Sequence, residues 1–386
     1  MVQAHTGKKL KIAMVVHDFP LQEGALDGGV AAAAFYLCSA LRDTGEIELD
    51  IVRPFAPSGI HGTIEVAGLR VHALNFPPRQ PKNFHSLCTV RTLVREKLRQ
   101  LRPDVVHVQN HTVIAGGLPP EQTVLSIHGI WEKDVLYRGR YRLLKSKLIA
   151  WLERSARRRV RYFISISPYT RQQLTPSPSY KFWDIANPVS LRYFDVLRRP
   201  RPGVIFSAAR ISELKNTQGL IRAFADVAQT VPQAELRLAG SWEDANYMQQ
   251  CKKLASSLGA AGRVKFLGIL NVNQILNELA EADCFALCSF QENAPVAIGE
   301  AMAAGVPVLA SAVGGVAYMV ENGVTGRLVT PQDNGSITKA LADLLIGDNR
   351  SVMGAAGKAK ALSEYHSTAV ARRTIAVYQE ISQKKT

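Results

Sequence analysis

The chain is short of long apolar runs, of cysteine and of acid. No apolar run approaches the ~18 residues that a bilayer span needs, so no membrane-spanning helix is predicted. The first run, Ile12 to Val16, is too short for the core of a secretory signal and is followed by Asp18 and Pro20. It reads as the first strand of a domain. There are five cysteines, 38, 88, 251, 284 and 288, an odd number at spacings that fit no metal motif. Cys284 and Cys288 share one predicted strand, which separates their Cα atoms by roughly 13 Å, beyond disulfide reach. Buried free thiols in a reducing cytoplasm are the expectation. No Asp-x-Asp pair occurs, so an obvious motif for metal-assisted diphosphate binding is lacking and no metal is expected. Acidic residues number 32 against 47 basic ones, a net charge of +15, which favours an anionic partner.

What is present is an ordinary globular composition with repeated β-then-α order. The 386 residues and 47% hydrophobic content suit two cored domains. Short apolar runs predict strands at 10–16, 49–53, 105–108, 124–127 and 162–166. Further on, the runs fall at 204–208, 235–239, 264–267, 284–288, 306–310 and 327–329. Such runs fit strands buried on both faces of a parallel sheet. Helical patterns lie between them, at Val30–Leu41, Thr89–Leu101, Thr217–Thr230 and Ala245–Leu258. The fold class is therefore α/β, with two doubly wound domains. The linker Arg198-Arg199-Pro200-Arg201-Pro202-Gly203 divides a first domain, 1–190, from a second, 191–367. The segment 368–386 is expected to form a last helix that packs back on the first domain. Open α/β sheets bind ligands outside their strands' carboxyl ends, which places the site in the cleft between domains.

The densest stretch runs from Ser289 to Gly305. It predicts a helix with Pro295 near its first turn and Gly305 after its end. That helix is apolar except for Glu300, a charge that must find a partner or take up a proton. Glu292 sits in the loop before it, and the helix N-terminus between them suits a phosphate. Hydroxyl-binding carboxylates on either side of an anion site match a nucleotide-sugar. Arg210 and Lys215 leave the end of the strand at 204–208, and such a pair can hold a diphosphate or be plain solvated charge. Asp27-Gly28-Gly29 opens a helix after the first strand, where paired glycines allow close backbone approach or simply a turn. His128 ends another apolar strand before Gly129 and faces the cleft in this architecture. His107 lies within its strand and reads as a core residue. Gly314-Gly315 lines the nucleotide site or turns the chain.

Taken in order, these motifs resemble the retaining family 4 glycosyltransferases of the GT-B fold. Glu292 and Glu300 match the family's Glu-x7-Glu signature, followed by Ala301-Met302-Ala303-Ala304-Gly305-Val306-Pro307-Val308. Arg210 and Lys215 match its basic pair, Gly28-Gly29 its glycine loop and His128 its histidine. The resemblance implies two Rossmann-like domains facing across a cleft and a nucleotide-sugar donor. It also implies transfer with retention and without a metal to a glycan, lipid-linked or small-molecule acceptor, in bacterial surface polysaccharide or envelope synthesis. Catalytic roles would fall to His128, Arg210, Lys215 and Glu292. Donor binding would fall to Gly28, Gly29, Arg210, Lys215, Glu292, Asn293 and Glu300. After the second glycine pair the family has Pro-Glu where this chain has Ala317-Tyr318. Two other classes share the architecture: a sugar-nucleotide epimerase and a catalytically silent nucleotide-sugar-binding protein.

Between Arg138 and Arg161 there are ten basic residues and one acid, Glu153. Tyr141, Leu144, Leu148, Trp151 and Leu152 recur there at helical spacing. Either this stripe packs on the core or the face meets anionic lipid, which would make the protein peripheral on the inner membrane face. No nucleic-acid-binding motif accompanies the charge.

Overall fold

The computed structural model describes residues 9–22, 28–55, 59–75, 84–129, 142–174, 177–242 and 244–384. The side chains of 84–88, 142, 144 and 145 lie outside that description, as do Asp27 and residues 138–141.

The first sheet has the order β3-β4-β2-β1-β5-β6-β7-β8. Its strands are β1 (Leu10–Val16), β2 (Ile47–Arg53), β3 (Gly62–Val66), β4 (Leu69–Ala73), β5 (Val105–Gln109), β6 (Thr123–Ile127), β7 (Tyr162–Ser165) and β8 (Lys181–Asp184). The second sheet has the order β11-β10-β9-β12-β13-β14. It comprises β9 (Val204–Ala208), β10 (Glu235–Ala239), β11 (Val264–Gly268), β12 (Cys284–Leu287), β13 (Val308–Ser311) and β14 (Gly326–Val329). This second order, 3-2-1-4-5-6 within its domain, is that of a dinucleotide-binding fold.

All described strand pairings are parallel except β3 with β4. The sequence reading missed β3, β4 and β8. Two residues, Ala67 (φ 48°) and Gly68 (φ 73°), join β3 to β4, the backbone of a tight hairpin. At this edge exposed and buried residues mix, so no continuous apolar run marks the strands. β8 is the opposite edge and only half-buried.

One apolar cluster covers each face of each sheet. The helix Gly29–Thr44 is shared between domains. Its Leu37, Cys38 and Leu41 pack in the first domain's core, while Ala32, Ala33 and Tyr36 pack in the second domain's. The chain crosses back at Tyr365–His366, where Tyr365 O accepts from Val189 N at 2.7 Å. The final helix, Ser367–Gln383, then buries Val370, Ile375, Tyr378 and Ile381 in the first domain. Cys38, Cys251, Cys284 and Cys288 are buried free thiols; Cys88 lies outside the described side chains.

The helix Arg142–Arg157 lies with its small side toward the domain. A Cβ on Gly116 would come within 2.5 Å of Ala156 O, and Ala150 is buried. Leu148 and Trp151, expected on an apolar stripe, are 58% and 65% exposed, and Leu143 is exposed beside them. A groove along this face is lined by Lys147, Trp151, Arg154 and Arg158. Packing of this stripe on the core is therefore excluded for Leu148 and Trp151.

Candidate active site

A cavity of about 380 Å³ lies between the domains and is lined by Gly28, Gly29, His128, Arg210, Lys215, Glu292, Asn293 and Glu300. All eight residues given catalytic or donor-binding roles from the sequence are thus in one place. The first domain contributes Gly28, Gly29 and His128. The second contributes the rest, from loops at the carboxyl ends of β9 and β12 and from the helix Val296–Ala303.

Gly28 has φ 91° as the cap of the helix Gly29–Thr44, a conformation that disfavours any side chain. A Cβ on Gly29 would lie 3.9 Å from Val296 Cγ2. Two helix N-termini, at Gly29 and Val296, therefore converge on the cavity, and both present positive dipole ends.

Glu292 is held within its own domain. Its Oε1 accepts from Lys215 Nζ at 2.5 Å and from Ser289 Oγ at 2.7 Å. The glycine pair 314–315 is placed behind this loop and is not among the cavity-lining residues. A Cβ on Gly314 would sit 1.8 Å from Glu292 O, and one on Gly315 1.7 Å from Asn293 O. Only glycine lets the two backbones meet here. Asn293 spends its side chain across the domain boundary. Its Oδ1 accepts from Ser167 Oγ (2.8 Å) and Thr170 Oγ1 (2.7 Å), and its Nδ2 donates to Ile127 O (3.4 Å).

Glu300 is buried and finds its partner in the other domain: Tyr36 OH donates to its Oε1 at 2.8 Å. Tyr36 OH lies 3.1 Å from Tyr193 OH, and both phenols line the cavity. Burial raises the Glu300 carboxyl above its usual range, while hydrogen bonds from Tyr36 and Tyr193 pull it back down. Nothing in the sequence pattern marks Tyr36 or Tyr193. The only signal is that Tyr36 falls two turns after Gly29 on the same helix.

His128 is fixed by a buried chain. Its Nε2 is 2.5 Å from Gln109 Oε1, and its backbone N–H donates to Asn110 Oδ1 at 3.0 Å. Gln109 Nε2 reaches His107 Nε2 at 3.1 Å, and His107 Nδ1 meets Tyr378 OH at 2.7 Å. Burial pushes His128 down to about 4. Burial and the neighbouring His128 push His107 down to about 3. Both imidazoles are neutral at pH 7, so His128 offers hydrogen bonding rather than charge. On the first domain's rim Asp18 is held below the usual carboxylate range, first by its hydrogen bond with His17, with Arg53 and Arg210 adding to it. Asp18 also went unmarked in the sequence.

A family model described as glycosyl transferases group 1 matches residues 192–360, and one described as a glycosyl transferase 4-like domain matches residues 28–179. Over 170 residues the chain is 32% identical to the GDP-mannose-dependent alpha-(1-6)-phosphatidylinositol monomannoside mannosyltransferase of Mycolicibacterium smegmatis. That match covers 42% of this chain and 44% of the mannosyltransferase. The chain spans about two fifths of the length of the curated relatives it matches. Sucrose-phosphate synthase from Thermosynechococcus elongatus superposes with a TM-score of 0.81 at 18% identity, over 97% of this chain and 99% of that one. The Anabaena protein HepE in complex with UDP-glucose superposes with a TM-score of 0.73 at 18% identity, over 96% and 100%. At these identities the structural likeness is one of fold.

Proposed function

The chain belongs to the glycosyltransferase family that these two models describe, and on that premise we propose that it moves a hexose-type sugar from a nucleotide-sugar to a glycan, lipid-linked or small-molecule acceptor. The observation that carries this reading is that one inter-domain cavity gathers all eight residues given catalytic or donor-binding roles. In it Glu300 holds the ribose hydroxyls and Glu292 the hydroxyls of the transferred sugar. Arg210, Lys215 and the two helix N-termini take the diphosphate. Lys215 has three N–H donors. One reaches Glu292, and the others are available to phosphate oxygens, so the lysine ties the sugar end to the leaving group. His128 meets the donor sugar near the reacting carbon as a neutral hydrogen-bonding group.

We read the reaction as retaining and metal-independent. The acceptor oxygen bonds to the anomeric carbon as the bond from that carbon to the phosphate oxygen breaks, on the same face of the sugar. The acceptor proton passes to the departing phosphate oxygen. Charge developing on the diphosphate is stabilised by Arg210, Lys215 and the helix dipoles, and closure of the cleft aligns the partners. The donor class draws support from the mycolicibacterial relative, named for GDP-mannose, and the Anabaena structure, which holds UDP-glucose. They differ in nucleotide and sugar, so both must be measured.

No helix among the described residues is long and apolar enough to cross a membrane. Exposed Leu143, Leu148 and Trp151 beside Lys147, Arg154 and Arg158 support a peripheral seat on an anionic membrane surface at the cytoplasmic side. Equal recovery with neutral and anionic vesicles in cosedimentation would remove that part of the reading.

The deciding experiment is a release assay across UDP-, GDP- and ADP-sugars with mass analysis of the product. Nucleoside diphosphate release with sugar transfer is expected. Proton exchange at C2 without release would point to an epimerase instead, and binding without turnover of any donor to a silent binding protein.

A further inference from the structure

We propose that Tyr36 is a positioning residue through which the first domain sets how the second domain's Glu300 recognises the donor ribose. The inference rests on the assignment of Glu300 to the ribose. Four observations carry it. The Tyr36–Glu300 hydrogen bond is 2.8 Å and spans 264 residues of sequence, so it exists only when the domains face each other. Tyr36 is wedged in the second domain's apolar cluster and packs edge-on to Tyr193, with centroids 6.1 Å apart at 65°. Its hydroxyl therefore has a fixed position. The phenol protons also persist at neutral pH, because burial and the Glu300 charge raise both tyrosines. Finally, the three groups line the same cavity as the phosphate-facing residues.

Tyr36 has one hydroxyl proton and gives it to Oε1, and the Tyr193 hydroxyl, 3.1 Å from the Tyr36 oxygen, also bears on Glu300. Such a network strengthens each of its members. A carboxylate accepts at about four lone-pair positions, so fixing Oε1 from one side orients the remaining positions toward a vicinal diol. Tyr36 stands seven residues beyond Gly29 on one helix, about 10 Å along its axis. One helix of the first domain thus addresses both the phosphate end and the ribose end of a nucleoside diphosphate. A site built around a substrate hydroxyl rejects the analogue lacking it, and here that rejection depends on a residue that never touches the ribose.

The test is calorimetric binding of UDP, GDP and their 2′-deoxy forms to the full chain and to Tyr36→Phe, which keeps the ring and removes the O–H. In the wild type the ribonucleotide is expected to bind at least tenfold more tightly. In Tyr36→Phe the ribonucleotide Kd rises about tenfold, about 1.4 kcal/mol, while the deoxynucleotide Kd moves less than about twofold, so the preference shrinks. Equal loss for both nucleotides, or an unchanged preference, overturns the proposal while leaving Glu300 as the ribose contact. A wild type with no ribose preference overturns the Glu300 assignment and this proposal with it. Tyr193→Phe, which removes only the outer hydroxyl, is expected to shrink the preference by less and keeps the question open to measurement if Tyr36→Phe does not fold.

Discussion

Glu292 and Glu300 stand on one short segment, yet the molecule holds them by opposite means. Glu292 is paired with a cation and a hydroxyl of its own domain. Glu300 is held by a neutral phenol of the other domain. In the reaction we propose, a charged partner suits the end of the site where negative charge shifts, because Lys215 can divide its donors between carboxylate and phosphate. A neutral partner suits the end that only binds, because it leaves the carboxylate its charge for hydroxyls. The first arrangement is complete within one domain, whereas the second takes its Tyr36 hydrogen bond only when two domains meet.

The contrast can be broken by substitution. Lys215→Ala should give the largest effect, a fall in kcat of about 10²–10³, read by steady-state nucleotide release. A collapse of donor affinity with kcat untouched would mean that the two ends have been exchanged. Glu300→Gln should act on binding, raising the donor Kd by about 10–100-fold, the range of hydrogen bonds to a charged group, with a far smaller change in kcat. Gly315→Ala tests the Glu292 end alone. Its Cβ must displace the Asn293 carbonyl, which should cost about 1–3 kcal/mol of stability in denaturant melts. Its kcat should fall about tenfold, within what such a displacement produces, with ribose preference unchanged.

The smallest effect sharpens the contrast through pH. Burial raises the folded pKa of Glu300 above its unfolded value of about 4.3. Its contribution to stability is therefore fullest below that unfolded value and is lost as pH rises through the folded one. The melting temperature of Glu300→Gln relative to wild type should climb between pH 4 and pH 7, and a flat difference would contradict it.

Burial on both faces made β1, β5, β6, β9, β12 and β13 legible as apolar runs, and turn chemistry at strand ends exposed Gly28, His128, Arg210 and Glu292. The β3–β4 edge stayed hidden because its side chains mix buried and exposed positions. The helix Arg142–Arg157 was legible as a helix but not in orientation, since periodicity shows a stripe and not which side meets the core. Tyr36 with Glu300, and Asn293 with Ser167 and Thr170, were invisible for a different reason. Their pairing depends on how two domains face, which no local pattern encodes.

The last helix, Ser367–Gln383, has a consequence for synthesis. Chains leave the ribosome N-terminus first and fold domain by domain, yet the first domain's core includes Val370, Ile375, Tyr378 and Ile381. His107 gains its Tyr378 partner only after the whole second domain has been translated. The second domain can be finished while the first still waits, so of these two domains the one begun first is completed second.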